Sequence, residues 1–111
     1  MDWIETLDGA VIASDTEGNI IYLNGKATSN FEKYGGNKLI GTNLKECHSE
    51  TSNLKIREMM ETHEKNIYTI EKNGKKKLIY QAPWYKEGVF AGLVELSLEV
   101  PFDMPHFIRE G

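Results

Sequence analysis

Three runs in the second half of the chain, "NIYTIEK", "KKLIYQAPWY" and "VFAGLVELSLEV", are separated by short gaps that contain Asn73-Gly74 and Glu87-Gly88. They are rich in β-branched and aromatic residues, and Asn-Gly between strand-like segments is the composition of a tight hairpin turn. The stretch therefore predicts a three-stranded antiparallel meander. In the last run Val94, Leu96, Leu98 and Val100 alternate with Glu95, Ser97 and Glu99. Successive strand side chains point to opposite sides, so one face of the sheet is expected to carry the core and the other to be partly wet. Pro83 has no N–H to give to a ladder, which predicts an edge position or a bulge there.

The first half has a different punctuation. Residues 2–7, "DWIETL", predict a short amphipathic helix with Trp3, Ile4 and Leu7 on one side. Turns at Asp8-Gly9 and Glu17-Gly18-Asn19 bracket "AVIASDT" and "IIYLN", which read as a hairpin. "KATSNFEKYGG" reads as a helical stretch stopped by Gly35-Gly36, and "NKLI" and "NLKEC" as two short helical pieces hinged at Gly41. Residues 53–65 predict the clearest helix, with Ile56, Met59, Met60 and His63 on one face. Five strands with the helices inserted between the second and third, packed on one face, make a two-layer α+β domain. We expect one domain over residues 1–111: a core at about 8–100, an N-terminal helical cap at 2–7 and a tail at 101–111.

Composition narrows the function classes. A chain of 111 residues buries roughly two thirds of the surface its unfolded form exposes, enough for one core and a modest pocket. The 40% apolar and 27% charged content and the mean hydropathy of -0.47 describe a globular protein. The start "MDWIETLDG" has neither the basic nor the apolar part of a signal peptide, so a cytoplasmic location is expected. A net charge of -4 argues against a nucleic-acid surface, and no apolar run suggests a membrane partner. Lys72, Lys75, Lys76 and Lys77 read as a solvated hairpin tip, with an anionic partner as the alternative.

In this order of elements the chain resembles the PAS family of sensory domains. "DTEGNIIYLNGKA" is similar to the family's Asp-x-x-Gly-x-Ile-x-Tyr-x-Asn pattern through Asp15, Gly18, Ile20, Tyr22 and Asn24, followed by Ala27. "KLIGTNL" resembles its Leu-Ile-Gly step, and "GVFAGLVELSLEV" its final strand. The resemblance spans about residues 8 to 100. It implies a domain that holds a small ligand, haem or flavin between sheet and helices, or that works through protein–protein contacts alone. The tail "PFDMPHFIREG" departs from the pattern, because Pro101 and Pro105 interrupt any helical linker to an output domain.

Cofactor chemistry can be weighed residue by residue. The position where the resemblance implies a flavin-reactive cysteine is Leu44, which argues against flavin photochemistry; Cys47 lies three residues further on. The implied proximal histidine of a haem domain falls near Ile56, leaving His48 or His63 as the available imidazoles, with Met59 or Met104 as second ligands. Cys47 and His48 are adjacent and so point apart, which excludes them as a nucleophile–base pair. Cys47 reads as a small packed thiol, and Ser49, Thr51 and Ser52 as caps for the following helix. Tyr80 and Trp84 share a strand face with Leu78 and Ala82. Their rings either line the sheet side of a pocket or cover an outer sheet face. The ligand-facing set expected from the sequence is Tyr22, Asn24, His48, Met59, Tyr80, Trp84 and Leu96. No metal site and no catalysis are expected. The partners expected are a small ligand and a second copy or a signalling protein, met through Trp3, Ile4 and the wet sheet face. A ligand-free dimerisation module, a haem sensor using His48, and more remotely an enzyme using Cys47 are the competing readings.

Overall fold

A computed structural model describes residues 2–44 and 50–111. The strands are β1 (Ala10–Ser14), β2 (Ile20–Leu23), β3 (Asn66–Lys72), β4 (Lys75–Lys86) and β5 (Val89–Val100). They form one antiparallel sheet in the order β2-β1-β5-β4-β3. The helices are α1 (Asp2–Thr6), α2 (Gly25–Asn30) and α3 (Glu50–Thr62), with 3₁₀ turns at Glu32–Tyr34 and Gly36–Leu39.

The meander follows from its two-residue turns. Asn73 and Gly74 have φ of 54° and 75°, and Glu87 and Gly88 have φ of 51° and 81°. Positive φ at both central residues matches the twist of the flanking strands and fixes the register of Lys72 opposite Lys75 and Lys86 opposite Val89. Pro83 meets both expectations for a proline in a sheet: β3 ends its pairing at Gln81, and the β4–β5 register slips between Trp84 and Tyr85.

The helical segment between the hairpin and α3 is more broken than the sequence suggests. α2 ends at Asn30, and Gly35 enters the left-handed region at φ 110°, so "KATSNFEKYGG" is one short helix and a tight turn. α3 runs Glu50–Thr62 instead of 53–65. His63 closes it at φ 60°, donating its N–H to the Met59 carbonyl at 2.8 Å, and the chain is already extended by Asn66.

The first strands and helices meet at Asn24, which is fully buried. Its Oδ1 accepts from the N–H of Val11 at 2.9 Å and of Ala27 at 3.0 Å. Its Nδ2 donates to the carbonyls of Ile4 at 2.9 Å and Gly9 at 2.8 Å. One amide thus caps α2, satisfies β1 and anchors both α1 and the turn after it. Around it Ala10, Ile20, Leu23 and Ala27 form the core cluster, with Ile12, Leu39 and Leu44 against it. Gly25 is needed because a Cβ there would lie 2.7 Å from the Glu5 carbonyl oxygen. From α1, the Glu5 carboxylate accepts a hydrogen bond from the Tyr22 hydroxyl, and this bond pushes the phenol up to about 12.

The sheet presents its faces opposite to the hydrophobic reading. Along the helix-covered face run Tyr68 and Ile70 of β3, Ile79 and Gln81 of β4, Leu93, Glu95 and Ser97 of β5, and Ile12 of β1. The apolar row Val94, Leu96, Leu98 and Val100 stands on the other face, opposite Ala82, Tyr80, Leu78 and Lys76 in register, and is half-buried. Alternation separates two faces but does not say which one the helices take.

Two outcomes follow for this region. Asn24→Ala orphans buried groups on β1, α1 and the Gly9 turn and removes the α2 cap, so urea denaturation is expected to show a loss of about 3–5 kcal/mol. The raised Tyr22 phenol means that the α1 contact contributes fully below about pH 10 and is lost as pH rises toward 12. Tyrosinate absorbance should therefore show a phenol titrating near pH 12 that vanishes in Tyr22→Phe and returns to the ordinary range in Glu5→Gln.

Candidate functional site

Between the sheet and the helices lies a cavity of about 100 Å³. β1 and β2 supply Ile12, Ser14, Ile20 and Leu23; the helical side supplies Phe31, Leu39, Leu44, Ile56 and Met59. Gln81, Leu93 and Glu95 come from the inward face of β4 and β5. Met59 is 1% exposed and holds the middle of α3 against this space. An unbranched thioether suits such a position because it fills irregular gaps.

The polar part of the wall is a ladder across three strands. Asn66 Nδ2 donates to Gln81 Oε1 at 2.8 Å, and Gln81 Nε2 donates to Glu95 Oε1 at 2.7 Å. The pairing of Asn66 with Gln81 and of Gln81 with Glu95 brings these side chains onto one face. The bonds run one way and end on the carboxylate. Partial burial and, secondarily, the Glu95 charge push the Tyr68 phenol upward.

Ser14 closes the far end. Its Oγ donates to the Asp15 carbonyl at 3.1 Å and accepts from the Leu93 N–H at 3.3 Å. Trp84 Nε1 donates to the Ser14 carbonyl at 2.9 Å. Here β1 approaches β5 so closely that a Cβ on Gly92, at φ 144°, would lie 2.0 Å from the Ser14 carbonyl oxygen. At the C-terminus of α3 the His63 ring stacks on Phe90 with centroids 3.8 Å apart, and Tyr85 meets both rings edge-on. α3 is thus fastened to the sheet through Met59 in its body and His63 at its end.

Of the residues expected from the sequence to face a ligand, Met59 lines the cavity. Asn24 does not: both of its amide atoms are fully engaged with backbone. Tyr22 turns to Glu5, beside α1. Tyr80 and Leu96 stand opposite each other on the outer face, so the inward placement of both is corrected. Trp84 braces the β1–β5 junction instead of lining the cavity. His48, with Cys47 and Ser49, lies outside the described residues. Thr51 and Ser52 fall inside α3, which begins at Glu50.

Met59 apart, none of the described lining residues was in the set expected from the sequence, and the polar ones among those missed are Ser14, Gln81 and Glu95. A Gln or Glu in an alternating strand reads as solvent-facing. The two-residue turn at Asn73-Gly74 aligns Asn66 with Gln81, but Gln81 meets Glu95 only because the β4–β5 register slips by one residue between Trp84 and Tyr85. Without that bulge Gln81 would face Val94, so turn length alone could not have revealed the ladder.

The described lining does not fit a haem. Leu44 and Ile56, where the resemblance implies a reactive cysteine and a proximal histidine, both contribute hydrocarbon. Met59 carries the one usual haem axial ligand among the described lining residues, and a macrocycle several benzene rings across exceeds a cavity of about 100 Å³. A second, wider concavity lies between the β3–β4 hairpin and α2. It is lined by Lys26, Lys72, Lys75 and Lys77 together with Asp8, Glu95 and Glu99. Lys26 pairs with Asp8 at 3.3 Å and Lys75 with Glu99 at 3.6 Å, so the lysines there are partly neutralised. Among the described residues no helix is long and apolar enough to cross a membrane.

Comparison with solved structures returns the same architecture. A sensor histidine kinase from Vibrio cholerae described as a sensory box protein aligns with a TM-score of 0.63 and 16% identity over 91% of this chain and 89% of that one. The Aer2 receptor from Vibrio cholerae, described as a dual PAS-heme oxygen sensor, aligns with a TM-score of 0.63 and 14% identity over 84% and 95% of the two chains. VqmA bound to DPO aligns with a TM-score of 0.66 and 15% identity over 88% of this chain and 55% of that one. The comparison with curated proteins gave no match. The family model described as PAS domain matches residues 7–83, and the five-stranded sheet with its short inserted helices agrees with it: the chain belongs to the PAS domain family.

Proposed function

We propose that this PAS domain is a sensor that takes a small ligand between its sheet and α3 and passes on occupancy through protein–protein contacts, without catalysing a reaction. The cavity lined by Met59, Leu93, Gln81 and Glu95 carries this reading. It is largely apolar with a polar ladder along one wall, which is the composition of sites that bind small molecules. The fold is shared with a haem oxygen sensor and with a protein bound to DPO, two relatives whose descriptions name a bound group. Short helices and 3₁₀ turns opposite a long meander give the signal its moving part. A ligand that binds more tightly when α3 is displaced, or when it is seated, shifts that equilibrium by its differential affinity. A cytoplasmic location and a signalling partner or second copy complete the reading.

The alternative is a ligand-free dimerisation module. It is favoured by the outer face, where Tyr80, Leu96 and Leu98 form an apolar row on a sheet side that the described helices leave half-covered.

The two readings separate on melting. A sensor warmed with a cognate small molecule at saturating concentration gains about 5 °C or more, and Leu93→Phe, which fills the cavity, removes the gain. If no compound of a broad metabolite set shifts the wild-type protein, the sensor reading fails. For the contact reading, Leu96→Glu should convert a sedimenting dimer to a monomer without lowering Tm; a wild-type protein that sediments as a monomer at the highest soluble concentration would remove it.

A further inference from the structure

We propose, building on the sensor reading, that the cavity takes a compact organic amine whose ammonium group is held by Glu95. Three polar side chains line the cavity among the described residues: Ser14, Gln81 and Glu95. Ser14 Oγ already donates to Asp15 and accepts from Leu93. Gln81 spends its carbonyl on Asn66 and an amide hydrogen on Glu95. Glu95 receives that hydrogen on Oε1 and is the one carboxylate among the described residues of the wall. An ionised carboxylate has about four acceptor positions, so most of its capacity is left for a donor from the cavity.

Among the described residues its charge also has no counterion. The described ion pairs join Lys26 to Asp8, Lys55 to Glu58 and Lys75 to Glu99, and none reaches Glu95. Lys77, the inward lysine of β4 closest in register, stands opposite Glu99, with the Ile79–Ser97 pair between it and the Gln81–Glu95 pair. No described residue lining the cavity is basic. A half-buried carboxylate in an apolar wall is costly until a cation with hydrogen-bond donors joins it, and a charge-assisted bond there is about twice as strong as a neutral one. The rest of the wall, Ile12, Leu23, Phe31, Met59 and Leu93, asks for hydrocarbon. The volume sets the size: a cavity of about 150 Å³ holds benzene, so about 100 Å³ takes a short branched or small cyclic aliphatic body.

The experiment uses a set matched in size and smaller than benzene, isopropylamine, isopropanol and acetate, titrated calorimetrically into the full chain at neutral pH and low salt. We expect the amine to bind at least about tenfold more tightly than the alcohol, the carboxylate not to bind, and Glu95→Gln to erase the preference for the amine over the alcohol. Leu93→Phe, with Glu95 intact, should abolish binding of the amine, and it carries the test if Glu95→Gln fails to fold. Equal or tighter binding of the alcohol or carboxylate, amine binding that survives either substitution in a folded protein, or no amine binding in the millimolar range would overturn the proposal. A melting shift from a neutral or anionic compound that Leu93→Phe removes would overturn the amine assignment while leaving the sensor reading standing; absence of any shift from any compound defeats both.

Discussion

Four hydrogen bonds on one buried amide hold the N-terminal half of this domain together. Asn24 has two acceptor positions and two donor hydrogens, and each is matched to a backbone group from a different piece of chain: β1, α2, α1 and the turn at Gly9. Only the side-chain amides of Asn and Gln offer two acceptors and two donors in one plane, and Asn carries its amide one methylene closer to the backbone. Because the groups it serves are buried, each would otherwise carry a desolvation cost. The consequence reaches the cavity, since the same bonds set where α2 leaves β2 and therefore which face of the sheet the helices cover.

That face is a compromise between burial and hydrogen bonding. Its apolar members, Ile12, Ile79 and Leu93, supply the driving force for covering it, while Gln81 and Glu95 carry polar groups into the covered layer. The ladder from Asn66 to Glu95 makes this tolerable by passing hydrogen bonds across the strands to a carboxylate. α3, by contrast, is attached through Met59 and the His63–Phe90 stack.

The sequence made the first hairpin and the three-stranded meander legible because turns and alternating hydrophobicity act locally, whereas the β1–β5 pairing that joins them into one sheet is long-range and was not readable. Asn73-Gly74 and Glu87-Gly88 fix the meander, and Asp15, Gly18, Tyr22 and Asn24 mark the first hairpin through the family pattern. The helices between were less legible, since α2 and the 3₁₀ turns are too short for periodicity to speak. Legibility failed most at the sheet faces. Tyr80 and Leu96 belong to the more hydrophobic row, and hydrophobicity assigns that row to the inside. The inside is instead decided by the connection out of β2, which placed the helices over Glu95 and Ser97. Asn24 was singled out correctly as special but for the wrong task, because a pattern shows that an amide is present and not which groups it bonds.

By itself, then, the chain determined its first hairpin, its three-stranded meander and its membership of a sensory family, all of which rest on interactions within a few residues or on local patterning. Only the tertiary structure decided which sheet face is covered, that Asn24 is consumed by backbone, and that Gln81 and Glu95 from adjacent strands join Met59 from a distant helix around one cavity. These depend on contacts between residues far apart in sequence, where a rotation of the helical layer from one face to the other leaves every local pattern unchanged.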